Sequence, residues 1–115
     1  KVNLQLSPFS DQVDLRNEEL NADSQRIECN SIVLDLPEPH KLVSWAKESL
    51  VPGGKLLCYI PTTNQVEKLL STLNGWGEIE VSEIIHRTWQ TNSEALRPNT
   101  NILGHTGFIL SARLF

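Results

Sequence analysis

Methionine, cysteine, long apolar runs and positive charge are all scarce in this chain of 115 residues. It contains no Met. A gene product starts with Met, whereas this chain starts at Lys1, in what reads as a strand, so residues 1–115 are expected to be part of a longer protein. The two cysteines, Cys29 and Cys58, form no spaced motif, and a reduced, cytoplasmic chain is the simplest expectation. Lys1-Val2-Asn3-Leu4 is no secretory signal. No apolar run approaches the roughly 18 residues of a membrane span. Ten Lys+Arg against fourteen Asp+Glu give a net charge of −4. That balance excludes a general polyanion binder, because phosphate affinity comes from Lys and Arg.

Several chemical motifs are missing as well. His40, His86 and His105 have no Cys, Asp or Glu at ligand spacing, so no metal site is expected. No Gly-x-Ser-x-Gly nucleophile turn occurs. Gly75-Trp76-Gly77 is the single Gly-x-Gly, and it follows a helical pattern instead of opening one, which disqualifies it as a nucleotide-binding loop.

What is present is enough for a core: 39% of residues are hydrophobic, ruling out disordered and fibrous classes. Val2, Leu4 and Leu6 alternate with polar residues and read as a half-buried strand closed by Pro8. Residues 10–28 are acidic and aperiodic, hence loop with at most a short helical turn. Ser31 to Leu36 is an apolar run like a strand covered on both faces, and Pro37 and Pro39 forbid its continuation. Leu42, Val43, Trp45, Ala46 and Leu50 predict a short amphipathic helix, ended by a turn at Pro52-Gly53-Gly54. Lys55 to Ile60 is a second buried strand, closed by Pro61. Val66, Leu69, Leu70 and Leu73 fall at i, i+3, i+4 and i+7, the clearest helix in the chain. Thr62 or Thr63 can cap its start and Asn74-Gly75 its end. Strands are expected over 79–89 and 106–114, with a polar loop 90–103 between them. This order predicts an α/β fold with a mostly parallel sheet finished by an antiparallel pair.

In open parallel sheets ligands bind at the carboxyl ends of strands, which draws attention to three stretches. In Asp35-Leu36-Pro37-Glu38-Pro39 an acid precedes a proline-stiffened turn; Asp35 either caps that turn or is presented to a ligand. Tyr59 is either core or a flat face on which a base could stack, and Asn64 and Gln65 open the next helix, where amides either decorate the first turn or read base edges. The last stretch joins Arg97 to Gly104-His105-Thr106-Gly107-Phe108, where glycine permits close backbone approach. A lone His of this kind is more often structural than catalytic. Charge leans the same way locally: beyond Glu83 the only acid is Glu94, against Arg87, Arg97 and Arg113.

Taken in order, Leu-Asp-Leu-Pro-Glu-Pro (34–39), Leu-Val-Pro-Gly-Gly (50–54), Tyr-Ile-Pro-Thr-Thr-Asn-Gln-Val (59–66), Leu-Arg-Pro (96–98) and Gly-His-Thr-Gly-Phe (104–108) resemble the catalytic subunit of tRNA (adenine-58-N1)-methyltransferases. The resemblance implies a Rossmann-like class I methyltransferase dependent on S-adenosylmethionine (SAM). It also implies that residues 1–115 form the C-terminal half of the catalytic domain, without the half that carries the cofactor loop. Transferred motif by motif, Asp35 matches the catalytic acid and Tyr59 the strand-end aromatic at the target adenine. Asp35 and Leu36 would flank the cofactor, and Asn64, Gln65, Arg97, His105 and Thr106 the RNA substrate. The implied partners are tRNA and further copies of the full-length enzyme in a homo-tetramer, with no membrane and no metal. His40 departs from the pattern, standing where the family usually has Trp. Two alternatives are another class I methyltransferase acting on a small molecule or protein, and a non-catalytic RNA-binding partner subunit. Gly-His-Thr-Gly-Phe speaks against the first and Asp35 against the second.

Overall fold

A computed structural model describes residues 2–102 and 104–115. The first element is α1 (Val2–Gln5), a single exposed helical turn, closed by Leu6 N donating to the Val2 carbonyl at 3.2 Å. The strand expected here is thus not formed. Alternation specifies a strand only when a neighbouring strand takes up its hydrogen bonds, and Val2 and Leu6 are equally well spaced for one turn of helix. Residues 10–28 are irregular apart from a 3₁₀ turn over Ser10–Gln12, as the composition suggests. This segment is tied to the body by Trp45 Nε1, which donates to the Gln25 carbonyl at 3.2 Å, and by Arg26 on Glu48.

The body begins with β1 (Cys29–Leu34), which stops just before Asp35. A 3₁₀ turn over Pro39–Leu42 leads into α2 (Val43–Ser49), and then β2 runs over Leu50–Ile60. The Pro-Gly-Gly turn expected to lie outside the strand is inside it, as an irregularity. Cys29 pairs with Leu50 but Ser31 with Lys55, so β2 carries extra residues there. Gly53 takes φ of 83°, a conformation that favours glycine. A Cβ on Gly54 would lie 2.8 Å from the Val51 carbonyl and 3.0 Å from that of Asn30.

Next come α3 (Thr63–Ser71), β3 (Trp76–Glu83) and β4 (Phe108–Leu114). The third strand starts earlier and ends earlier than the span 79–89. Glu83 pairs with Phe108, the first residue of β4, and past that point β3 has no partner to pair with. The loop is therefore longer than expected, 84–107. Strand order is β1-β2-β4-β3, with β1 and β2 parallel and β4 antiparallel to both its neighbours. The fold is a Rossmann-like half sheet with an antiparallel pair at its C-terminal end.

One face of the sheet is covered. Ile32, Leu34, Leu56, Cys58, Ile60, Leu110 and Ala112 form a single core with Val43, Trp45 and Ala46 of α2 and Val66 and Leu69 of α3. The alternate residues face outward: Val33 is 72% exposed and Tyr59 40%. Leu69, Leu56 and Leu110 have no exposed surface, so truncating any of them to Ala would cost about 2–5 kcal/mol. Cys29 and Cys58 are both free. Burial pushes the Cys58 thiol up to about 12, which makes it an inert core side chain. No helix among the described residues is long and apolar enough to cross a membrane.

Candidate functional site

The parallel register brings the two strand ends together. Leu34 pairs with Cys58, so Asp35 and Tyr59 are the next residues along each strand. Both belong to the outward-facing set, since each follows a buried residue, Leu34 or Cys58, and is itself exposed. Asp35 is exposed. Its position is fixed by backbone: Pro37 and Pro39 restrict the turn, and Pro39 is fully buried. Glu38 does not compete for this role. Lys41 Nζ sits 2.9 Å from its carboxylate, and that hydrogen bond and charge hold Glu38 below the ordinary carboxylate range.

Gln65 fastens the turn to α3. Its Nε2 donates to the Pro37 carbonyl at 2.8 Å. Its Oε1 accepts from Thr62 N at 3.2 Å and from Thr62 Oγ1 at 2.8 Å, while Gln65 N donates back to Thr62 Oγ1. Thr62, not Thr63, is the cap, and together the two residues form a capping box. The Gln65 amide is thereby committed to protein groups. Asn64 lies one position away on the exposed flank of α3, beside Glu67, Lys68 and Ser71.

Tyr59 is held from the other side. Its hydroxyl donates to the Thr106 carbonyl at 2.7 Å. A Cβ on Gly107 would fall 2.5 Å from the ring, so the ring lies against bare backbone that only glycine provides. His105 stands just before this contact. Its Nδ1 is 2.9 Å from Glu83 Oε2 and its Nε2 is 2.8 Å from the Pro61 carbonyl. Phe108 lies beside the ring, centroids 4.7 Å apart. The Pro61 carbonyl, then Glu83, raises the His105 pKa.

Of the sequence candidates, Asp35, Leu36, Tyr59, Gln65, His105 and Thr106 thus share one rim, formed by the carboxyl ends of β1 and β2 and the end of the loop. Arg97 is directed elsewhere: its Nε donates to Gln90 Oε1 at 3.2 Å, inside a small hairpin where Gln90 N bonds the Arg97 carbonyl and Asn99 N that of Thr88. Glu83 and Pro61 are not among the sequence candidates. The close backbone approach expected of the Gly-His-Thr-Gly stretch is made by Gly107, against the Tyr59 ring; nothing local marks Glu83. A depression of about 470 Å³ opens between Ile84, His86, Thr88, Asn101, Ile102 and Thr106, adjoining the rim through Thr106. Among the described residues no cluster of His, Cys, Asp or Glu could hold a metal ion.

Chemically, the rim offers an exposed carboxylate and a fixed aromatic ring, side by side at the carboxyl end of a parallel strand pair. A carboxylate accepts hydrogen bonds from an amine and favours developing positive charge; an aromatic face stacks on a base.

Residues 9–97 match the family described as the tRNA methyltransferase complex GCD14 subunit. A tRNA (adenine(57)-N(1)/adenine(58)-N(1))-methyltransferase of Methanocaldococcus jannaschii is 40% identical over 86 residues, 72% of this chain and 30% of that protein. A tRNA (adenine(58)-N(1))-methyltransferase catalytic subunit of Candida albicans is 30% identical over 89 residues, 73% of this chain and 26% of that protein. The chain therefore spans under a third of the length of these curated relatives. Among solved structures, a SAM-dependent O-methyltransferase from Thermotoga maritima superposes with a TM-score of 0.85 at 27% identity, covering 98% of this chain and 43% of that one. The tRNA (m1A58) methyltransferase of Aquifex aeolicus gives 0.73 at 33% identity, covering 81% and 39%.

Proposed function

The chain belongs to the family of the tRNA methyltransferase complex GCD14 subunit, and from that membership we propose that it supplies the substrate-side rim of a SAM-dependent enzyme that methylates N1 of adenine 58 in tRNA. The observation that carries this reading is the adjacency of Asp35 and Tyr59 at the carboxyl ends of β1 and β2. In this reading residues 1–115 are the C-terminal half of the catalytic domain. The exposed outer face of β1, with Val33 uncovered, and the unpaired edge of that strand support it: an apolar edge strand is a surface that proteins normally cover.

Asp35 and Leu36 fit one flank of the cofactor, a carboxylate acceptor and a half-buried apolar side chain at a strand end. The rest of the cofactor would be held by groups outside residues 1–115. When bound, SAM supplies an electrophilic methyl group.

N1 of adenine already has a lone pair, so no strong base is required of the protein. Asp35 accepts a hydrogen bond from the exocyclic N6 amine, which orients the base and stabilises the positive charge that develops as N1 is alkylated. Tyr59 offers its exposed ring face to a base turned out of the tRNA fold. Gln65 keeps the Asp35 turn against α3, and the Thr106 carbonyl and Gly107 keep the Tyr59 ring at a fixed angle. Asn64 and Arg97, on exposed flanks, serve as outer contacts for the RNA. The full-length enzyme acts in the cytoplasm as a homo-oligomer, a tetramer by the resemblance.

The test is a chimera in which this chain replaces the aligned segment of the Methanocaldococcus jannaschii relative. It should methylate a tRNA transcript at adenine 58, mapped by a primer-extension stop. A folded, SAM-binding chimera that leaves adenine 58 unmodified would refute the proposal.

A further inference from the structure

His105 faces two acceptors. The Pro61 carbonyl can only accept, and Glu83 is a carboxylate, yet a neutral imidazole has a single N–H. With Nε2 at 2.8 Å from one and Nδ1 at 2.9 Å from the other, both contacts are hydrogen bonds only if the His105–Glu83 pair keeps one proton more than a neutral ring beside a carboxylate. Nothing is left over on the ring for RNA: both nitrogens are engaged within the protein. The same residue begins the His105-Thr106-Gly107 run, whose Thr106 carbonyl receives the Tyr59 hydroxyl and whose Gly107 backbone lies against the Tyr59 ring.

We propose that His105 is a positioning residue: as an imidazolium it clasps Glu83 at the end of β3 to Pro61 at the end of β2, and so fixes the backbone that orients Tyr59. One proton thus joins three separate segments, the ends of β2 and β3 and the loop that leads into β4. The groups that face the ring are Glu83 from β3, the Pro61 carbonyl from the β2–α3 connection and the uncharged Phe108 ring from β4. Both acceptors favour the charged ring, and the His105 pKa is accordingly raised above 6.5. A raised pKa means that the clasp is fully present below 6.5 and is lost as the pH rises through the raised value. The effect on substrate rests on the reading of Tyr59 as a base-stacking side chain; the clasp itself does not.

The test follows ring signals of ¹³C-labelled His and Tyr by NMR in the full chain between pH 5.5 and 8.5, with His105→Gln and Tyr59→Phe used for identification. Tyr59 should titrate with the midpoint of His105. Glu83→Gln should move both midpoints to lower pH, and His105→Gln should leave Tyr59 without a transition. Binding of a tRNA T-arm hairpin should weaken across the same midpoint by roughly fivefold or more, the lower end for one lost base stack, and the step should vanish in His105→Gln. A Tyr59 signal indifferent to His105, or a Tyr59 transition that survives His105→Gln, would overturn the clasp. Coupled titration with no hairpin binding at any pH would sustain the clasp and contradict the tRNA reading, so the two fail separately.

Discussion

The two sides of the rim are held by opposite means. On one side, Asp35 sits in a turn made rigid mainly by residues within a few positions of it, namely Pro37, the buried Pro39 and the Lys41–Glu38 pair, with Gln65 tying the turn to α3. On the other, Tyr59 is oriented by Thr106 and Gly107, nearly fifty residues away in sequence, at the end of a long loop (84–107) whose described residues hold little regular structure. A turn built locally loses little entropy on binding. A ring oriented by a distant loop depends on whatever anchors that loop, which here includes a protonated histidine. The acid is preset; the aromatic is conditional.

Four substitutions test that contrast. Asp35→Asn keeps the turn and removes the charge, so in the chimera methyl transfer should fall by roughly 10²–10⁴, the range for a positioned acid–base group. Thermal stability and hairpin affinity should stay near those of the parent, since base orientation and transition-state charge are what change. Gly107→Ala puts a methyl 2.5 Å from the Tyr59 ring; overpacking of this kind costs about 1–3 kcal/mol. Denaturant unfolding should show that loss, and the Tyr59 ring signals should move while those near Asp35 do not. Thr62→Ala removes the cap of α3 and should cost about 1 kcal/mol.

Gln65→Glu is the finest probe. Glutamate retains the capping-box acceptor but cannot donate to the Pro37 carbonyl. It should therefore lose only about 0.5–1.5 kcal/mol of hydrogen bonding, with amide shifts confined to residues 35–39. Shifts spreading into loop 84–107 would mean that the two sides of the rim are one unit.

This contrast also explains what could be read from the sequence. The β1 and β2 cores, the cap at Thr62 and the proline turn are written in neighbouring residues, and each formed close to where local rules placed it. The parallel pairing of β1 and β2 accords with the mostly parallel sheet expected from the helix between them. Expectations failed where the outcome depends on a distant partner. Val2–Leu6 alternates like a strand but no strand in the sheet pairs with it, so it forms a helical turn. Residues 84–89 are apolar enough for a strand, but β4 begins only at Phe108 and gives them no partner. Arg97, a site residue by motif, lies on an exposed flank with its Nε on Gln90 within its own hairpin, away from the rim. The amide of Gln65 is spent on Thr62 and Pro37, a role set by the meeting of two strand ends and not by its neighbours in sequence.

The rim is read here as presenting an acid and an aromatic ring to adenine 58, with the acid acting on the chemical step. Single-turnover methylation of a tRNA transcript by the chimera, parent against Asp35→Asn at saturating SAM, tests it most directly. Transfer to adenine 58 is expected from the parent, and a rate lower by roughly 10²–10⁴ from the variant, with tRNA affinity nearly unchanged. Transfer by Asp35→Asn at the parental rate would contradict it and leave the proline turn as a piece of scaffold.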